Sequence, residues 1–219
     1  MKQAEVFSFI ASELSKVREA EYKPIRVAIN GIEGTGKTTF AISLVKYLNG
    51  HNQNAIHITI DGFHFNKKAR YRQGRNSAKG YYEDSYDEKS FVENVLLRSQ
   101  GNPPEYIEAT HDLESDAYLN LLPKKLHPEA ILVTDGCYLF KAIFNEFWDF
   151  RIYLRTDFEI ALERGVKRDQ IALGGYDSAK QKFEQRYHAA SKRYISEVNP
   201  QSLADIIVDV SNFENLEII

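Results

Sequence analysis

The stretch Asn30–Phe40, NGIEGTGKTTF, constrains this chain more than any other. Gly31, Gly34, Gly36, Lys37 and Thr38 satisfy the spacing G-x-x-x-x-G-K-[ST], which belongs between a strand and the first turn of a helix. Glycines let backbone N–H groups turn inward with no Cβ in the way. The helix that follows aims the positive end of its dipole at the same spot. Lys37 can reach the β- and γ-phosphates of a nucleotide, and the Thr38 hydroxyl can ligate Mg²⁺. Glu33, Thr35 and Thr39 complete the expected ATP-binding loop. The anion it is built to hold is the tail of a nucleoside triphosphate.

The flanks agree with this reading. Ile25–Asn30 is a short apolar run ending at the loop, and KTTFAISLVKYLNG reads as a helix closed by Asn49 and Gly50. Further strands are expected at Ala55–Phe63, Ala130–Gly136, Phe150–Leu154 and Ala204–Ser211. Helices are expected from Asp87, with that residue as N-cap, from Asp157, and within residues 174–199. Val6, Phe7, Ile10, Leu14 and Val17 recur at helical spacing, predicting an N-terminal helix that Glu21–Pro24 breaks. Strands alternating with helices predict an α/β fold: a mainly parallel central sheet covered on both faces, in three layers, as one domain over 1–219. Within it, 1–20 is an N-terminal helix, 64–85 a polar, tyrosine-rich flap, and about 164–187 a helical lid.

Two aspartates stand at strand ends, where open parallel sheets bind ligands. ILVTD places Asp135 either to hold Mg²⁺, usually through water, or to cap the turn after its strand. Asp61 lies on a different strand. There it accepts a proton from an attacking hydroxyl, adds a second carboxylate to the metal's surroundings, or forms a turn. Arg164, Lys167 and Arg168 share one helix face, which is either solvated or part of a lid that neutralises charge during transfer. Asn66–Arg75 holds five cations, read either as a solvated flap or as an edge that steers an anionic acceptor. Tyr81 and Tyr82 can stack on a base or pack the flap down. Trp148 and Cys137 are expected in the core.

Composition bounds the remainder. A net charge of −3 over 219 residues gives no general reason for nucleic-acid or membrane binding. The single cysteine excludes an internal disulfide framework and a cysteine-based zinc site. No apolar run of membrane length occurs, so a cytoplasmic protein is expected.

The ordered set GIEGTGKTT, DGFHF, GYYEDSYD, TDG, FWDFRIYL, RGVKRD, RYHAASKRYISEVNP and ADIIVDVS resembles the uridine kinase and phosphoribulokinase group of P-loop kinases, from about Ile25 to the end. The RYRQGR…GYY flap and N-terminal helix are similar to bacterial members described as uridine kinase-like. The resemblance implies a P-loop NTPase fold, ATP and Mg²⁺, Asp61 as general base, Asp135 as the magnesium carboxylate, and phosphate contacts from Arg168-Asp169. With Lys37, Arg168 is the expected stabiliser of the transferring group, and Arg164 an ATP contact. It implies a nucleoside acceptor, and His64, Tyr82, Asp84 and His111 are the contacts this chain is expected to offer it.

The departures fall on acceptor recognition. His64 stands where uridine kinases carry tyrosine, as in phosphoribulokinases. Ile107 and Leu113 replace an aspartate and an arginine, and Leu173 replaces the second lid arginine. Another alcohol acceptor, such as a sugar, a phosphosugar or a pantothenate-like compound, therefore stays open, as does a non-catalytic ATP-binding regulator. A GTPase-type switch lacks its N-K-x-D motif, and a transporter ATPase lacks an L-S-G-G-Q-like signature. A homo-oligomer is compatible with everything above.

Overall fold

The computed structural model describes residues 1–20 and 23–219, without the side chains of residues 19 and 20. The expected helix break begins at Glu21 and Tyr22, which lie outside the described residues. Helix α1 (Gln3–Ala20) leads into strand β1 (Ile25–Gly31), the glycine loop and helix α2 (Lys37–Gly50). Strand β2 (Asn54–Thr59), β3 (Ala130–Gly136), β4 (Phe150–Arg155), helix α3 (Phe158–Asp169), β5 (Ile206–Asp209) and a short β6 (Glu217–Ile218) complete the frame.

The six-stranded sheet runs β6-β5-β4-β1-β3-β2. Every pair is parallel except β5 with β6. All seven residues of β1 and of β3 are buried. This is why both read as near-continuous apolar runs: each lies in the sheet interior with layers on both faces. On one face Val27 and Ile29 meet α1 and α2 through Val6, Phe7, Ile10, Phe40 and Leu44. On the other, Ala28 and Leu132 meet Phe63, Phe91, Tyr138, Trp148 and Tyr194. Trp148 is in the core, as expected, and its indole N–H donates to the Leu139 carbonyl at 2.7 Å.

Three segments differ from the sequence expectation. Strand β2 ends at Thr59, and Asp61 sits on a one-turn 3₁₀ helix, Ile60–Phe63, because the Thr59 hydroxyl accepts from the Asp61 N–H. The flap contains short helices at Lys67–Arg70 and Ala78–Asp84, capped by Asn66 and Ser77. Residues 174–199 form three segments end to end: Tyr176–Lys182, a wider π-type turn Phe183–His188, and Ala189–Val198. Among the described residues no helix is long and apolar enough to cross a membrane.

Candidate active site

The site lies where β1, β2 and β3 deliver their C-terminal ends, with the glycine loop on one side and the flap and lid on the other. Gly34 (φ +86°) and Gly36 (φ +94°) hold left-handed conformations that glycine adopts without strain. A Cβ on Gly34 would stand 2.0 Å from the Ala161 carbonyl oxygen, so α3 rests directly on the loop. Gly36 is the N-cap of α2 and no side chain caps that helix. Its first N–H groups are therefore left for a ligand. Gly31 and Thr35 shape the loop from behind: Thr35 is fully buried and its hydroxyl donates to the Ile32 carbonyl at 2.7 Å.

Lys37 is buried and its Nζ donates to the same carbonyl at 2.9 Å. Burial works against its charge, the nearby Glu33 and Asp135 carboxylates act the other way, and its pKa is raised. The lysine is thus held cationic inside the site. Cys137 donates toward Glu33 Oε1 at 3.1 Å, and burial, then the Glu33 charge, push its thiol well above the usual value. It stays protonated, the inert buried thiol expected of it.

Asp135 is buried with both oxygens engaged. Oδ2 accepts from the Thr38 hydroxyl at 2.6 Å, and Oδ1 meets His57 Nε2 at 2.7 Å. A hydroxyl and a carboxylate side by side are hard oxygen donors suited to Mg²⁺, which takes one or two protein ligands and fills its shell with water and phosphate. His57 was not singled out by sequence. Its signal was a polar residue two positions before Thr59 in an apolar strand. Period-2 alternation puts both on one face, and Thr59 pairs with Asp135 in register.

Asp61 keeps 53% of its side chain exposed at the mouth of the site. Tyr86 donates its hydroxyl to Oδ1 at 3.0 Å, and His64 Nε2 stands 3.5 Å from the same oxygen. The site's enclosure raises the Asp61 pKa; His64, the Tyr86 hydroxyl and the Lys37 charge outweigh this and bring it down to about 2. His64 Nδ1 faces the Ser85 carbonyl at 2.8 Å, and a carbonyl only accepts, so Nδ1 carries a proton. The His64 ring stacks on Tyr86 at 4.3 Å.

Two adjoining cavities meet at this carboxylate. One, of about 80 Å³, is walled by Gly34, Gly36, Lys37, Thr38, Thr39 and Asp135. The second, of about 240 Å³, is walled by His64, Arg70, Tyr71, Tyr81, Arg186 and Tyr187. Glu33, Asp61 and Arg168 border both. Arg168 is held by Asp169 through two bonds at 2.7 and 2.8 Å, which raise its pKa. From the second cavity's side, Tyr81 donates its hydroxyl to Glu33, and buried His188 approaches the Glu33 carbonyl with Nε2 at 2.9 Å. The flap and the helical segment at the end of the lid are thereby tied to the glycine loop.

Besides Gly31 and Thr35 behind the loop, four expected contacts are on neither wall. Arg164 donates to the carbonyls of Val210 and Ser211 at 2.9 and 2.7 Å and lies over the Phe213 ring. Tyr82 is buried beneath Lys141 and Arg193. Asp84 is buried against Arg72 and Gln73. His111 is buried 3.3 Å from Asp116 without hydrogen-bond geometry. In the flap helix one residue is a turn of about 100°, so Tyr81 faces the cavity and Tyr82 faces the core. The sequence held Arg70 only as one of five flap cations, and it did not single out Tyr71, Tyr86, Arg186 and Tyr187. Tyr86, Arg186 and Tyr187 lie inside the quoted motifs GYYEDSYD and RYHAASKRYISEVNP, with no cue to which members turn inward.

Comparison with known proteins bears on this arrangement. A family model described as Phosphoribulokinase / Uridine kinase family matches residues 26–217. A curated uridine kinase from Leuconostoc citreum is 24% identical over 197 residues, covering 84% of this chain and 91% of that protein. A solved structure titled as a possible uridine kinase from Bacillus stearothermophilus aligns with a TM-score of 0.70 at 19% identity, over 92% of this chain and 96% of its own. A D-glycerate 3-kinase from Cryptococcus neoformans aligns with a TM-score of 0.63 at 11% identity, over 99% of each chain. The two structures share the fold.

Proposed function

The chain belongs to the phosphoribulokinase / uridine kinase family, and we propose that it transfers the γ-phosphoryl group of ATP to a hydroxyl of a small-molecule acceptor. The observation that carries this reading is the position of Asp61 between the glycine-loop cavity and the second cavity. A hydroxyl bound in the second cavity would meet a carboxylate on one side and the phosphate-binding loop on the other.

The residues divide the work. Free N–H groups at the start of α2 bind phosphate oxygens, and Lys37 holds a fixed positive charge beside them. Thr38 and Asp135 would hold Mg²⁺, which supplies charge neutralisation between phosphate oxygens when bound. Asp61, ionised throughout the physiological range, accepts a hydrogen bond from the acceptor hydroxyl and orients it. The phosphoryl-transfer transition state is loose, so the hydroxyl proton passes to the carboxylate late and a strong base is not required. Arg168 stands at the junction of the cavities, where negative charge develops.

A nucleoside is the first acceptor to test, because the curated relative is a uridine kinase. A second reading, an acceptor of another class, is favoured by the placement of Tyr82, Asp84 and His111 away from the second cavity. Incubation with Mg²⁺ and γ-labelled ATP against nucleosides, sugars and acids tests the class. Label transfer to any one supports it, and ATP consumed without a labelled organic product contradicts it.

A further inference from the structure

Four cations crowd a single ring beside the second cavity. The guanidinium of Arg186 lies 5.0 Å from the Tyr71 centroid, that of Arg75 5.3 Å, that of Arg70 5.7 Å, and the Lys182 ammonium 5.8 Å. The π-face of a tyrosine attracts each of them, but one ring does not offset the repulsion among four. Among the described residues one carboxylate serves the group: Asp116, 3.1 Å from Arg70. Among the described residues Arg75, Lys182 and Arg186 have no carboxylate within ion-pair distance.

The acids that border the cavity are committed elsewhere: Asp169 to Arg168, Glu33 to the Tyr81 hydroxyl, and Asp61 to the Tyr86 hydroxyl. Arg186 is 2% exposed and its Nη1 donates to the carbonyls of Gly74, Arg75 and Ser77, which fix it in place. Arg70 is also buried, and its Nε has no hydrogen-bond partner among the described residues. Burial, followed by the charges of Arg186, Arg75 and Arg70, holds the Lys182 pKa below its ordinary value against the opposing effect of Tyr71. A buried donor without a partner and a positive cluster short of acids both call for an anion.

Arg70, Tyr71 and Arg186 form one part of the cavity wall and Asp61 another. We propose that the acceptor is itself an anion: it carries a phosphate or carboxylate group that Arg70 and Arg186 hold, while its hydroxyl lies at Asp61. This rests on the kinase reading and narrows it. Lys182 and Arg75, which line a neighbouring cavity, add to the positive potential around the Tyr71 ring. A neutral nucleoside brings nothing to meet this charge.

The test is calorimetry with a non-hydrolysable ATP analogue filling the glycine loop, using inorganic phosphate and glycerate as the probes. Either probe should bind, and the stronger of the two identifies the anionic group. Arg70→Gln and Lys182→Gln should each weaken that binding by about tenfold and leave the analogue's affinity unchanged. Lys182→Gln keeps every flap contact of Arg186 and guards against a folding defect in Arg70→Gln. Steady-state rates supply an independent readout: ribose 5-phosphate should outperform ribose, or glycerate outperform glycerol, with the advantage reduced in both variants. Analogue binding with no anion binding up to about 10 mM overturns the anion site alone, as do uridine turnover above every charged compound and anion binding that neither variant weakens. Failure of the analogue itself to bind would instead contradict the kinase reading.

Discussion

Replacing His57 with leucine should weaken Mg²⁺ without touching ATP. The Asp135 side chain is only 3% exposed, and its Oδ1 has His57 Nε2 as hydrogen-bond partner at 2.7 Å. Its other oxygen faces Thr38, the expected metal side. His57→Leu removes the donor and leaves a buried carboxylate oxygen unsatisfied. A hydrogen bond to a charged group contributes about 1.5–3 kcal/mol, which corresponds to roughly 10–100-fold in an equilibrium constant. Loss of an outer partner behind a ligating carboxylate weakens metals by a similar factor. The assay titrates Mg²⁺ at fixed ATP and reads nucleotide binding by calorimetry, with metal-free ATP binding as the control. The half-saturating Mg²⁺ concentration should rise by about 10–100-fold while metal-free binding holds. His57→Gln, whose amide can donate near the position of Nε2, should recover part of the loss. An unchanged Mg²⁺ midpoint in a folded His57→Leu protein would refute the reasoning.

Three further outcomes are expected. Lys37→Ala should lower turnover at least about 10²–10³-fold with a smaller loss of ATP affinity, checked by steady-state kinetics beside nucleotide calorimetry. Gly36→Ala places a Cβ 2.5 Å from Phe213 Cζ at a φ of +94°. The left-handed residue alone costs about 1–2 kcal/mol, so the melting temperature should fall by roughly 2–8 °C in a thermal scan. The Asp61 pKa of about 2 is lowered relative to an unfolded carboxyl, so its contribution to stability is present above about pH 4 and is lost as pH falls toward that value. Consequently kcat/KM should show no acidic limb from Asp61 between about pH 5 and 8, and a limb there that shifts in Tyr86→Phe would show the carboxyl titrating where it should not.

The frame of the molecule was legible because its signals are local and repetitive. Strands β1 and β3 are apolar runs that end at the loop and at Asp135, and the loop's glycines declare their own geometry. The capping residues Asn66 and Ser77 stood in plain view in a flap read as loop, but each heads a helix too short for periodicity to register. The two-residue ladders Glu105–Tyr106 with Lys124–Lys125 and His111–Asp112 with Ala117–Tyr118 offer no alternation to detect. At the site, the residues whose placement the chain itself sets were legible: Lys37, Thr38, Asp61 and Asp135 line the glycine-loop cavity. Those set by how separate elements turn toward one another were not. Arg164 and Arg168 are one helical turn apart on the same face, yet one reaches the C-terminal segment and the other the cavity junction. Tyr81 and Tyr82 are neighbours, yet Tyr81 bonds Glu33 at the cavity while Tyr82 lies beneath Lys141 and Arg193.

The central claim, that Asp61 serves the acceptor hydroxyl and not the metal, meets its most direct test in one variant. Asp61→Asn keeps the side chain's shape and removes its charge and its proton acceptance. Single-turnover phosphoryl transfer to the best acceptor of the panel, at saturating Mg²⁺ and ATP, should slow by about 10²–10⁴-fold while Mg·ATP affinity stays within about twofold. Collapse of Mg·ATP binding with an intact transfer rate in the remaining complex would place Asp61 on the metal and contradict the account.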